Sequence, residues 1–119
     1  MYKKAKGVLG SRQLSKDGWA GSVAVTLLTD TGNVYLDLCI DVTSGMGFCA
    51  EHAAIAAMIT AGENKIDKIV AVGKNGVLPP CGRCREFINQ VHDENMSTLV
   101  MVTNDKIVTL RELLPFVSE

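Results

Sequence analysis

The residues of this chain that could do chemistry are Cys49, Glu51 two positions on, and the pair Cys81 and Cys84 within Pro80-Cys81-Gly82-Arg83-Cys84. Three thiolates can hold one zinc ion. Three protein ligands leave a tetrahedral zinc with an open position, which separates a catalytic site from a closed structural one. Water in that position is made acidic by the metal, and Glu51 is near enough in sequence to handle the proton. Two plainer readings use the same cysteines. A closed structural site needs a fourth donor, Cys39 or His52. A Cys-x-x-Cys redox pair uses Cys81 and Cys84 alone and leaves Cys49-Ala50-Glu51 without a purpose. Cys39 falls inside a predicted strand, away from the other three cysteines, and His52 can equally cap or pack.

These residues need elements that bring them together, and the pattern supplies two helix starts. Thr43-Ser44-Gly45-Met46-Gly47 is a glycine-containing loop that delivers Phe48-Cys49-Ala50-Glu51-His52 into an alanine-rich helix over 53–61, stopped by Gly62. Pro79-Pro80 leads into a second helix from near Cys81 to about His92, with Phe87, Ile88 and Val91 on one face. Helix N-termini carry partial positive charge and unpaired N–H groups, both of which favour thiolates. Within Cys81-x-x-Cys84 a three-residue step puts both sulfurs on one side. Glu51 points away from the Cys49 ligand direction, so it can flank the open position without filling it.

Strands frame these helices. Ser22–Thr29 and Val34–Asp41 are β-branched and apolar runs around Asp30-Thr31-Gly32-Asn33, a hairpin signal. Ile66–Val72, Thr98–Val102 and Ile107–Leu110 are three further strands, with a turn at Lys74-Asn75-Gly76 and a short helix around Arg111–Leu114 ended by Pro115. Residues 1–18 read as an irregular arm with at most one short helical turn, and Trp19 as a packing anchor. Strands alternating with helices predict an α/β sandwich, five strands with helices on both faces, in a single domain over 1–119. The alanine-rich helix is apolar nearly all round, so it should be covered by the sheet and by another helix or subunit.

Composition narrows the function classes. With 47% hydrophobic and 21% charged residues the chain should fold on its own. A formal net charge of -1 and scattered basic residues argue against binding nucleic acid through its phosphates. No segment is long and apolar enough to span a membrane, and Met-Tyr-Lys-Lys is not followed by the apolar run of a signal peptide. Four cysteines in that setting read as metal or catalytic thiols in a reducing compartment, so the cytoplasm is the expected location.

Phe48-Cys-Ala-Glu-His-Ala-Ala-Ile-Ala-Ala, Leu78-Pro-Pro-Cys-Gly-Arg-Cys-Arg-Glu and Leu113-Leu114-Pro115 resemble the two zinc motifs and terminal signature of the cytidine deaminase family, in its small homotetrameric form. Cys-x-Glu with Pro-Cys-x-x-Cys is also the pattern of zinc nucleobase deaminases in general. The resemblance spans about residues 22–117. It implies a cytidine-deaminase-like three-layer sandwich around a mixed sheet, one Zn²⁺ per subunit on Cys49, Cys81 and Cys84, and hydrolysis of cytidine or deoxycytidine to the uracil nucleoside and ammonia, as in pyrimidine salvage. Glu51 would shuttle the protons, and the Ala50 backbone would help hold the pyrimidine. The family's ribose-binding Asn-x-Glu aligns with Cys39-Ile40-Asp41, which makes Asp41 and Cys39 the candidate sugar contacts. Where the family often has Arg after the glutamate, this chain has His52. Gly21 replaces an aromatic ahead of the first strand, with Trp19 as its possible substitute. A family Phe aligns with Ser118, leaving Phe116 the nearest aromatic. Blasticidin S deaminases share Pro-Cys-Gly-Arg-Cys-Arg and Arg-Glu-Leu-Leu-Pro, so a modified cytosine nucleoside is the alternative substrate.

Overall fold

The structure is a computed structural model that describes residues 1–117; Ser118, the position aligned with the family Phe, lies outside them. One mixed sheet carries the chain. Its strands are β1 (Arg12–Ser15), β2 (Gly18–Thr29), β3 (Val34–Val42), β4 (Ile66–Gly73), β5 (Gly76–Leu78), β6 (Leu99–Thr103) and β7 (Lys106–Thr109). The helices are α1 (Tyr2–Val8), α2 (Ala50–Thr60), α3 (Gly82–Val91) and α4 (Leu110–Leu113). Across its middle the sheet runs β3-β2-β4-β6-β7, antiparallel at every step except the parallel pairing of β4 with β6. Those are the five predicted strands. Among the described residues the sheet has seven, because β1 pairs with the first residues of β2 and β5 with the last of β4. Both are short extensions, and β1 is exposed along its whole length, so neither leaves a burial period in the sequence. Residues 1–18 likewise hold a two-turn helix and a strand in place of an irregular arm.

Alternation along the strands divides the core between two faces. Val25 and Leu27 of β2, Ile69 and Ala71 of β4 and Val100 of β6 face Ala54, Ile55 and Met58 of α2, Ile88 of α3 and Leu110 of α4. Ala24, Val70 and Val72 face the other way, against Ala5 of α1 with Tyr2 and Leu9 beside it. Helices therefore lie on both faces, although among the described residues α1 is the only one on the second.

Two glycines shape the end of the sheet that holds the site. At Gly21 the β2–β3 register shifts between Ala20 and Ala24, and φ is +90°. A Cβ there would stand 2.2 Å from the Gly10 carbonyl oxygen. Any side chain, and above all an aromatic one, is shut out by the N-terminal segment crossing over the bulge. At Gly47 a Cβ would stand 2.0 Å from the Ile40 carbonyl oxygen. This close approach lets Phe48 and Ile40 exchange both backbone hydrogen bonds, at 2.8 and 3.1 Å. The loop after β3 is thereby clamped back onto its own strand, and Cys49 is delivered at the start of α2.

Candidate metal centre and active site

Cys49 is the N-cap of α2 and Cys81 the N-cap of α3; both have extended backbone there and neither makes a side-chain capping bond. Their sulfurs are left for each other. Cys49 Sγ and Cys81 Sγ are 3.8 Å apart, and Cys81 Sγ and Cys84 Sγ 3.4 Å. A tetrahedral zinc with Zn–S bonds of about 2.3 Å spaces its sulfurs by about 3.8 Å, so this donor set fits the ion without rearrangement of either helix. Arg85 steadies the approach to Cys81, donating from Nε to the Pro80 carbonyl at 2.8 Å and from Nη1 to the Leu113 carbonyl at 3.3 Å. A fourth donor is close: Cys49, Cys84 and His52 offer ligand atoms all within 4.8 Å of one another. Cys39 is not among them.

Glu51 is 5% exposed, in the first turn of α2. Burial raises its pKa, opposed by a backbone N–H and the Cys84 thiol. Burial likewise pushes the Cys84 thiol up, and the Glu51 charge adds to it. Burial also raises the Cys49 thiol; a hydrogen bond with Cys84 opposes the rise, while Cys81 and the Glu51 charge add to it. The Cys81 thiol is desolvated too, yet hydrogen bonds from the Cys84 N–H and the neighbouring thiols bring it below its ordinary value. A divalent cation reverses the rise at Cys49 and Cys84 and favours the Cys81 thiolate further, because a coordinating thiol is deprotonated outright. A centre this costly to charge without a metal is suited to holding one.

A cavity of about 420 Å³ opens beside the thiols, a size suited to a small ligand. Cys49, Ala50, Glu51, Cys81, Cys39 and Asp41 all line it; Cys84 does not and is buried behind them. The candidate site residues are thus drawn to one place from β3 and two helix starts. At Cys39 the sulfur is already engaged. It accepts from the Val23 N–H at 3.3 Å, a group near the register shift in β2, and contacts Ser22 Oγ at 3.2 Å. Asp41 Oδ2 accepts from Ser22 at 3.4 Å and Cys39 at 3.7 Å. Ser22, Phe48 and Arg83 also line the cavity and escaped the sequence reading. Phe48 and Arg83 each adjoin a motif cysteine or lie within its motif, which was the signal available; Ser22 is turned in by a bulge that no local pattern announces. Trp19 is 44% exposed and is not among the lining residues, so it neither anchors the core nor replaces the missing aromatic in the cavity.

A fold that gathers helix-borne thiols beside a buried carboxylate has the donors of a metal-binding protein, and the comparisons with known proteins give its family. The family model for the cytidine and deoxycytidylate deaminase zinc-binding region matches residues 5–100. Over 69 residues the chain is 33% identical to the cytidine deaminase of Mycobacterium tuberculosis strain H37Rv, covering 56% of this chain and 52% of that protein. The chain therefore spans about half the length of that curated relative. It is 31% identical over 105 residues to the blasticidin-S deaminase of Bacillus cereus, covering 78% and 74% of the two. The crystal structure of cytidine deaminase from Mycobacterium leprae matches with a TM-score of 0.79 at 25% identity, over 98% of this chain and 95% of that one. The chain belongs to the zinc-dependent cytidine and deoxycytidylate deaminase family.

Proposed function

We propose that this protein hydrolyses the exocyclic 4-amino group of a free cytosine nucleoside, cytidine or deoxycytidine, to the uracil nucleoside and ammonia. One zinc ion per subunit is held by Cys49, Cys81 and Cys84. The observation that carries this reading is the buried Glu51 carboxyl lining the same cavity as the Cys49 and Cys81 sulfurs. When bound, zinc supplies the Lewis acidity that makes water a nucleophile near neutral pH. Glu51 would take a proton from the attacking water as the water oxygen adds to ring C4, and would pass that proton to ring N3. It carries the water's second proton to the departing amine as the C4–N bond breaks, so ammonia leaves neutral. Its burial keeps bulk water from exchanging the proton in transit. Ala50, buried at the first position of α2, has a backbone N–H without a helical partner that can hold the pyrimidine. Asp41 accepts from a sugar hydroxyl, and Cys39 packs beside it. The near-balanced charge fits a free nucleoside over nucleic acid. The reading extends to a cytoplasmic homotetramer acting in pyrimidine salvage.

A second substrate has its own support. The B. cereus blasticidin-S deaminase aligns over more of this chain than the tuberculosis enzyme does, and Cys39 offers no amide to a ribose. Loss of ultraviolet absorbance with cytidine, deoxycytidine and blasticidin S decides the order. Faster turnover of the first two is expected, and reaction of blasticidin S alone would sink that ranking. In the same assay Glu51→Gln should keep its zinc and fold while turnover falls by about 10²–10⁴-fold. A variant as active as the parent removes the mechanism.

A further inference from the structure

His52 has no part in the proposed reaction, yet it sits at the candidate metal centre, in the first turn of α2. Its Nδ1 lies 3.4 Å from Cys84 Sγ. Its ring stacks on Phe87 of α3, with centroids 4.5 Å apart and planes 6° from parallel. Two helices therefore fix one imidazole: α2 carries it, while α3 supplies both the platform and the sulfur. A ring nitrogen is also close enough to Cys49 and Cys84 for His52 to be a ligand itself. Two observations decide against that. Cys81 already completes a sulfur trio at 3.4 and 3.8 Å, so a fourth protein donor would close the centre to water. And the cavity is lined by Cys49, Cys81 and Glu51 but by neither His52 nor Cys84, so the imidazole meets the Cys84 sulfur away from the side where substrate enters.

We propose that His52 is a positioning residue of the metal centre, its Nδ1–H donated to the Cys84 thiolate and its ring plane held by Phe87. The inference rests on the three-thiol zinc reading. A thiolate can only accept, so the ring hydrogen is on Nδ1. The bond draws electron density from one of three thiolates that together overcompensate the zinc charge, and it fixes the Cys84 side chain. Phe87 thereby gains a purpose beyond filling the core: without the stack the ring is free to turn Nδ1 away.

The test uses the zinc-loaded protein. In the wild type, zinc K-edge absorption should show three sulfurs and one light donor, with no outer-shell scattering from an imidazole. His52→Phe keeps the stack and removes the donor, and zinc affinity measured against a chromogenic chelator should fall by about 10–100-fold. The sulfur-to-cobalt charge-transfer bands of the Co²⁺-substituted protein should shift in His52→Phe. They should return toward wild type in His52→Asn, whose Nδ2 can stand where Nδ1 stood. Should His52→Phe fail to fold by circular dichroism, Phe87→Leu, which keeps the donor and removes its platform, should move both readings in the same direction. Imidazole scattering in the wild type overturns the proposal, as do folded variants with unchanged affinity and unchanged bands. A wild type that binds no zinc, or binds it through four sulfurs, overturns the three-thiol reading and the proposal with it, and shows before any substitution is made.

Discussion

Asp41 and Glu51 line one cavity and differ in everything else. Glu51 is buried on a helix, with its pKa raised by that burial; Asp41 is exposed near the end of β3, tied to the Ser22 hydroxyl at 3.4 Å. A solvated carboxylate beside a hydroxyl suits recognition of a substrate hydroxyl, an interaction equally strong before and during the reaction. Loss of such uniform binding raises KM and spares kcat. Asp41→Ala should therefore raise KM for cytidine by roughly 10–100-fold, the worth of a hydrogen bond to a charged group, with kcat nearly unchanged; steady-state kinetics check it, and an unaltered KM removes Asp41 from the sugar site. The contrast bears on what could be read in the sequence. The cysteines and Glu51 stand at fixed offsets within two motifs, because helix starts impose those offsets. Residues that recognise a substrate need only face the same space, so Ser22 on a bulge left no trace. Cys39 could be placed by alignment, but its bond to the Val23 N–H follows from a register shift that the sequence does not display.

At the scale of elements, the β2–β3 hairpin and the end of α2 are joined by a carboxylate the motifs do not include. Glu63, just past Gly62 at the end of α2, accepts from the Thr31 hydroxyl, from Asn33 Nδ2 at 2.8 Å and from Tyr35 Oη at 3.1 Å. These donors, Thr31 first, lower its pKa to about 2. A carboxyl whose folded pKa lies below its unfolded one stabilises the fold above the unfolded value, near 4.5. That stabilisation is lost as pH falls toward the folded value. Glu63→Gln should accordingly unfold at lower urea than the wild type at pH 7, with the gap closing between about pH 5 and pH 2. Comparing the two proteins at each pH cancels the acid loss of metal common to both, and a gap constant across that range would show that the charge contributes nothing. The long elements of this region were legible, since the two apolar runs and the turn at 30–33 have the period of a hairpin. The short ones, β1 and β5, were not: their pairing is set by neighbours already in place, and a three- or four-residue strand has too little length to show a period.

At the scale of the whole molecule, part of the exposed apolar surface gathers at the site end of the sheet. Trp19, Val42, Met46 and Phe48 are each more than one-third exposed, Met46 by 78%, and all lie on the strands and loop at the site end of the sheet. On α2, the alanine-rich helix expected to be covered nearly all round, Ile59 is 46% exposed. Large exposed apolar groups gathered in one region mark a surface that another protein covers. For a 119-residue chain, association of like subunits is the economical way to cover them. The tetramer proposed above meets that need, and a loop such as Thr43–Gly47 beside the cavity would then be ordered by the neighbouring subunit. Multi-angle light scattering at micromolar concentration should give four times the chain mass of 12.8 kDa. Ile59→Asp, on the outer face of α2 and absent from the cavity lining, should reduce that mass while circular dichroism stays that of a folded chain, because a charge left in water costs the monomer little and a charge at a buried contact costs the assembly several kcal/mol. A wild-type protein that scatters as a stable monomer at the same concentration would leave the exposed residues without a partner of their own kind, and the tetramer would have to be given up.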